Sequence, residues 1–332
     1  MFMDFSLRGW AELDGLRLEK EEIRAILRQD PAKVCTFGGE FFLEWDGCRA
    51  RDHFGIMPGS SPPGELICAG RPAARVDPAY PPLDLDQAIR KAVELRSDEG
   101  VVAFSGGVDS ALVARLAGRE CLAVGLPGSH DLDRTRLVAH ELNLKLHEVQ
   151  IEPREIEEAL TRVLPVIPDR DPVNASIAAT LYFVCRWAGD HGIECILAGQ
   201  GADELFGGYS RYLHTQTLAE DMEADFQRLP RQLARDQAVA GLFGAYFSLP
   251  YMDCRVVAAA RAIPARMRIV DGVRKRPLRA VAARHLPAAI AWYEKKAMQY
   301  GSGVMKEMEK LAARRGYRKD LQGYLKEICN KL

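Results

Sequence analysis

The chain has 332 residues, with 45 Lys and Arg against 46 Asp and Glu and a formal charge of −1. That balance gives no electrostatic case for binding nucleic acid or a membrane surface, and 48% hydrophobic with 27% charged residues excludes overall disorder. No run approaches about 18 uninterrupted apolar residues and residues 1–5 lack a leader pattern, so neither a transmembrane helix nor a signal peptide is expected.

At about 150 residues per domain, the length suggests two domains. Residues 34–37 and 40–45 are aromatic and strand-like. Residues 58–82 hold seven of the eighteen prolines. Proline removes backbone donors and interrupts helix and sheet alike. The boundary is therefore expected there: residues 1–70 as a small β-rich unit, 71–83 as a proline-rich linker, and 84–332 as the main domain. A first unit of about 60 residues is marginal as an independent core, so it is expected to pack on the main domain.

Beyond the linker, Leu85, Ala88, Ile89, Ala92 and Val93 recur at helical spacing. Apolar runs at 100–104, 121–126, 147–151 and 194–198 read as strands. Between them, 111–117, 131–142, 153–164 and 176–188 read as helices, the second with Asp131 as N-cap. From about Tyr212 the chain looks mainly helical. Strands alternating with helices predict an α/β fold, a parallel sheet flanked by helices with a helical C-terminal part. The cysteines are Cys35, Cys48, Cys68, Cys121, Cys185, Cys195, Cys254 and Cys329, with no CxxC pair. Structural zinc is not expected, and the eight are read as reduced cysteines of a cytoplasmic protein.

Two motifs carry chemistry. Ser105-Gly106-Gly107-Val108-Asp109-Ser110 stands between a strand and a helix. The glycines let the backbone approach a ligand, and the helix start offers free N–H groups and a positive dipole end to an anion, most simply a phosphate. A carboxylate, Asp109, inside such a loop points to a mediating Mg²⁺. There is no GxxxxGK[ST] and no GxGxxG. The second motif is Leu197-Ala198-Gly199-Gln200-Gly201-Ala202-Asp203-Glu204-Leu205-Phe206-Gly207-Gly208-Tyr209. Its acidic pair can hold a metal, bind an amino group or cap a helix.

The first motif resembles the pyrophosphate loop of the N-type ATP pyrophosphatases. Together the two resemble the synthetase domain of the asparagine synthetase family. Pro250-Tyr251-Met252-Asp253, residues 275–279, His285-Leu286-Pro287 and the lysine-bearing Lys295-Lys296-Ala297-Met298-Gln299-Tyr300-Gly301-Ser302-Gly303 come in the family's order, so the likeness covers about residues 84–304. The resemblance implies an adenine nucleotide alpha hydrolase-like fold, ATP and Mg²⁺. By it, Ser105, Gly106, Gly107, Asp109 and Ser110 hold the phosphates. Ala103, Val124, Ala198 and Gly199 line the nucleoside, and Asp109 and Asp203 ligate Mg²⁺. Lys295, with Lys296 as the alternative alignment, stabilises charge during adenylation. Glu204 and Asp253 are candidates for a substrate ammonium group.

The implied activity is an ATP-dependent, AMP-forming amide ligase. It adenylates a carboxylate, best the β-carboxylate of aspartate, and transfers ammonia or another amine. The N-terminal stretches 39–46 and 50–58 resemble the middle of that family's glutaminase domain, in shortened form. Residue 2, where the glutamine-using members carry cysteine, is Phe2, so no glutaminase activity is expected in this chain, and a separate glutaminase is a candidate partner. Gln200 stands where the family usually has glutamate, and an amide cannot act as a base. These departures leave two alternatives: an amide ligase on another acid, such as a cofactor precursor, or a catalytically weak ATP-binding regulatory subunit. Self-association stays open. Sulfur transfer to tRNA is disfavoured, as neither paired cysteines nor a basic surplus is present.

Overall fold

Alternating apolar side chains near the N-terminus build an antiparallel sheet in the order β2-β1-β3-β4-β5-β6. The strands are β1 (Phe5–Leu13), β2 (Leu16–Arg17), β3 (Gly38–Trp45), β4 (Cys48–Arg51), β5 (Glu65–Cys68) and β6 (Arg71–Arg75). β1 and β3 pair from Phe5↔Trp45 to Glu12↔Gly38. Helix α1 (Lys20–Gln29) buries Ile23 and Leu27 in a core with Phe37, Phe41, Leu43 and Trp45. The computed structural model describes residues 4–294 and 301–330.

Three expectations are corrected in this region. Residues 34–37 are not a strand: Pro31–Thr36 is a 3₁₀ turn, started by Pro31 and capped by Asp30, which accepts from Ala32 N. Residues 71–75 of the expected linker form β6, an exposed edge strand, where the missing N–H of Pro72 is tolerated. The reduced state read for all eight cysteines fails at one pair. The β4–β5 register sets Cys48 opposite Cys68, and the two form a disulfide.

The sheet belongs to a compact unit comprising residues 1–98, 200–230 and 248–276. Helix α2 (Leu85–Glu94) starts at Asp84, whose carboxylate and Gln87 form a capping box, and it buries Ala88, Ile89, Ala92 and Val93 as the spacing predicts.

The second unit comprises residues 99–199, 231–247 and 277–332. Its sheet has the order β11-β10-β7-β8-β9, with β7 (Val101–Ala103), β8 (Cys121–Gly125), β9 (Leu146–Gln150), β10 (Cys195–Leu197) and β11 (Tyr246–Ser248). The β10–β7, β7–β8 and β8–β9 pairs are parallel. Helices α3 (Val108–Ala117), α4 (His130–Glu141), α5 (Glu155–Val163) and α6 (Pro172–Asp190) alternate with the strands, giving the α/β architecture read from the sequence. The N-cap of α4 is Ser129, accepting from Leu132 N, and not Asp131, which lies inside the helix. Strand β11 falls in the part expected to be helical, which otherwise holds α8 (Leu218–Gly241) and later helices. Among the described residues, no helix is long and apolar enough to cross a membrane.

Candidate functional site

In the order β11-β10-β7-β8-β9, chain order runs outward in both directions from the β10/β7 boundary. In open α/β sheets, ligands bind beyond the carboxyl ends of the strands at such a reversal. Both motifs meet this rule. The Ser105–Ser110 loop leaves the carboxyl end of β7, and Ala198 and Gly199 leave that of β10. The two strands pair Ile196↔Val101 and Leu197↔Val102. Ala103 ends β7, and Val124 lies on the adjacent β8, half-buried.

The loop is held by its own serines. Ser105 N donates to Ser110 Oγ at 3.1 Å, Ser110 Oγ donates to Gly107 O at 3.3 Å, and the hydroxyls are 3.0 Å apart. Gly106 has φ +66°, and a Cβ there would lie 3.0–3.2 Å from Arg134 and the Thr135 backbone. Gly107 is the N-cap of α3 and brings no side-chain cap. Asp109 lies in the first turn of α3, so its carboxylate and the helix N-terminus share one end. A Cβ on Gly199 would lie 3.1 Å from Asp109 Cβ. The structure thus brings Ala103, Ser105, Gly106, Gly107, Asp109, Ser110, Ala198 and Gly199 to one end of this sheet.

Arg134, which no sequence motif marks, lies beside the loop. Its Nε donates to Gly106 O at 3.4 Å, and its guanidinium carbon is 3.7 Å from the centre of the Tyr293 ring. No local pattern signals a residue brought to the loop by α4. Lys295 and Lys296 lie outside the described residues.

The second motif continues into the other unit, from Gln200. Gln200 is half-buried. Gly201 starts helix α7 (Ala202–Phe206), whose first turn holds Asp203 and Glu204. Lys275 Nζ lies 2.8 Å from Asp203 Oδ1, with the lysine buried and the aspartate 44% exposed. A Cβ on Gly208 would collide with both side chains, so this ion pair occupies space that glycine leaves. Glu204 is buried and accepts from Tyr209 Oη at 2.5 Å. Burial and then the charge of Asp203 push its carboxyl above the usual carboxylate range, against the opposing pull of Tyr209 and Lys275. Lys275 was legible only as part of a resembling stretch, not as the partner of Asp203.

Asp253 caps helix α9 (Cys254–Arg261) by accepting from Arg255 N at 3.0 Å. Its carboxylate also accepts from Arg96 at 3.0 Å and from the Arg255 guanidinium at 3.2 and 3.3 Å. Two buried guanidinium groups therefore already face it.

Among the described residues, no group of three or more His, Cys, Asp or Glu is gathered as a metal site. A magnesium carried with a nucleotide needs only one or two carboxylates, the remaining positions being phosphate oxygens and water. Asp109, in the first turn of α3 beside the loop, is a carboxylate of that kind, whereas Asp203 in the other unit already faces Lys275.

The asparagine synthase family model matches residues 84–249 and 229–327. A Methanocaldococcus jannaschii protein, provisionally named asparagine synthetase 1 (glutamine-hydrolysing), is 32% identical over 281 residues, covering 71% of this chain and 52% of that protein. Asparagine synthetase B (glutamine-hydrolysing) of Escherichia coli is 28% identical over 250 residues, covering 67% of this chain and 45% of that protein. The chain thus spans about half the length of these relatives. Among solved structures, the NMN synthetase of Francisella tularensis matches at 23% identity with a TM-score of 0.28, over 38% of this chain and 59% of that one.

Proposed function

Because the chain belongs to the asparagine synthase family, we propose that it is an ATP-dependent, AMP-forming amide ligase whose acid substrate is aspartate. The observation that carries this reading is the Ser105–Ser110 loop, where Gly106 takes a left-handed φ of +66° and α3 starts at Gly107 without a side-chain cap. Such a helix start receives phosphate oxygens on backbone N–H groups.

In the first step a β-carboxylate oxygen attacks the α-phosphorus of ATP, and the bond from that phosphorus to the pyrophosphate oxygen breaks. Ser105, Gly106, Gly107 and Ser110 hold the phosphates, and Ala103, Val124, Ala198 and Gly199 line the nucleoside. Asp109 and Asp203 are the residues that would hold Mg²⁺, which when bound would supply charge neutralisation of the departing pyrophosphate. Lys295, or Lys296 in its place, balances charge on the adenylating phosphate. In the second step an amine nitrogen attacks the acyl carbon, the carbon–oxygen bond to AMP breaks, and the nitrogen loses a proton. Glu204 orients the substrate ammonium group. Asp253, the other candidate for that group, is already engaged by Arg96 and Arg255.

The nitrogen donor is ammonia or another amine, with a separate glutaminase as one supplier. Six of the eight cysteines are ill-suited to a nucleophilic role, which needs a lowered pKa. Burial instead pushes up the thiols of Cys35, Cys121 (to about 12), Cys185 and Cys254, while Cys48 and Cys68 are bridged. The nucleotide chemistry makes the cytoplasm the proposed compartment. One observation favours a second reading, amide formation on a different acid: Gln200 cannot deprotonate an attacking ammonium.

The test is AMP and pyrophosphate release from Mg·ATP with aspartate, with and without ammonium. Release that needs both, with asparagine formed, supports the first reading. Release that ignores aspartate moves the search to other carboxylates, and Mg·ATP binding without AMP under a broad panel indicates a regulatory subunit.

A further inference from the structure

We propose that Arg134 is a positioning residue, which fixes the root of the lysine-bearing segment in register with the phosphate loop. This rests on the reading of residues 105–110 as that loop. The first turns of α4 touch three things within one unit. Arg134 Nε reaches Gly106 O at 3.4 Å. Its guanidinium lies 3.7 Å from the ring centre of Tyr293, and its Nη2 reaches Ala289 O at 3.5 Å. Tyr293 Oη lies 3.1 Å from His130 Nε2, one turn earlier on the same helix. Tyr293 stands two residues before Lys295.

The far side of the lysine-bearing segment returns to the same place. A Cβ on Gly301 would collide with the buried carboxylate of Asp131, and Leu126 N donates to Ser302 O at 3.0 Å. Residues 126–134 therefore touch Tyr293 on one side and residues 301–302 on the other, and Arg134 also reaches the phosphate loop. Its two hydrogen bonds are long, so the planar stack on Tyr293 is the dominant contact. Buried Arg279 secures the other side of this root, donating to Ala291 O and Tyr293 O at 2.9 Å each.

Trp292 makes the proposal measurable. It is 41% exposed and adjoins Tyr293, whereas Trp10 and Trp45 are 3% exposed. Equilibrium dialysis reads Mg·ATP binding and tryptophan emission reads the root. The wild-type chain is expected to bind Mg·ATP with an emission change that Trp292→Phe removes. Arg134→Met is expected to bind Mg·ATP yet lose that change, and to form AMP from aspartate and ammonium about 10²-fold more slowly, the scale of a small misplacement of a reacting group. Arg134→Lys keeps the charge without the planar face, and is expected to lose the emission change as well.

An emission response unchanged in Arg134→Met overturns the proposal, as does a wild-type chain that binds Mg·ATP without any response. Loss of Mg·ATP binding in Arg134→Met also overturns it, because Arg134 would then be a nucleotide contact. If Arg134→Met does not fold, Tyr293→Leu removes the other half of the stack and is read by the same criteria. A wild-type chain that does not bind Mg·ATP overturns the phosphate-loop reading, and this proposal with it.

Discussion

Arg96 Nε donates to Glu40 Oε1 at 2.9 Å, with both side chains sealed from solvent. Glu40 comes from β3 of the N-terminal sheet, and Arg96 lies just beyond α2. Glu40 also accepts from Trp10 Nε1 at 3.2 Å, Ser248 Oγ at 2.5 Å and Leu249 N at 2.7 Å. Arg96 passes the connection on to Asp253, and Arg255 joins Asp253 to Glu12 on β1 at 2.6 Å. Burial alone would push the Arg96 guanidinium down; Glu40 and Asp253 outweigh it and hold it above its ordinary value. The shortened sheet is thus wired by buried charges to the segment that carries Asp253.

Removing one member of this network leaves the other charges buried and unpaired. Arg96→Met or Glu40→Gln should cost roughly 3–5 kcal/mol of stability, the range for breaking a buried ion pair. Urea unfolding followed by circular dichroism reads it. A loss under about 1 kcal/mol would show that water reaches these groups.

Gly106→Ala places a side chain at φ +66° against the α4 backbone. A left-handed residue with a Cβ costs about 1–2 kcal/mol, so Mg·ATP binding should weaken about tenfold while the fold persists. Equilibrium dialysis checks this, and unchanged affinity would remove the loop from the nucleotide site.

Gln200→Glu restores a carboxylate where a base is wanted. If ammonia is the nucleophile, ammonium-dependent amide formation should hold or rise, by up to about 10²-fold. Complete loss would favour a different nucleophile. Amide formed per AMP released separates the two outcomes.

Asp52 supplies a pH dependence. It is buried, accepts from Ile56 N at 2.8 Å and Met57 N at 2.9 Å, and its carboxyl is pushed up to about 7, chiefly by burial. A folded pKa above the unfolded one means that the native state holds the proton more tightly. Its stabilisation is then fully present below about pH 4 and lost as pH rises to about 7. Unfolding free energies of the wild-type chain and Asp52→Asn, compared at pH 5 and pH 8, should shift in favour of the variant by up to about 3 kcal/mol. A pH-independent difference would place the Asp52 titration outside this window.

The sequence was most legible where chemistry is local. The parallel strands, the helices between them and the loop at 105–110 come from short apolar runs, periodicity and glycine. What escaped depends on distant partners. The Cys48–Cys68 pair needs the β4–β5 register, the Asp203–Lys275 pair needs the room left by Gly208, and Arg134 needs α4 set against the loop. Strand β11 is three residues long and lies in a helical stretch, so no period announces it. Ser129 displaced Asp131 as the cap because either residue type fits that role, and only the helix start decides.

The network around Arg96 has a consequence for how the chain is made. Arg96 and Asp253 are 157 residues apart. At 5–20 residues per second, a ribosome takes roughly 10–30 s to travel between them. Through that interval the nascent chain carries Glu40 and Arg96 without Asp253, so closure of the network waits for translation to deliver the distant segment.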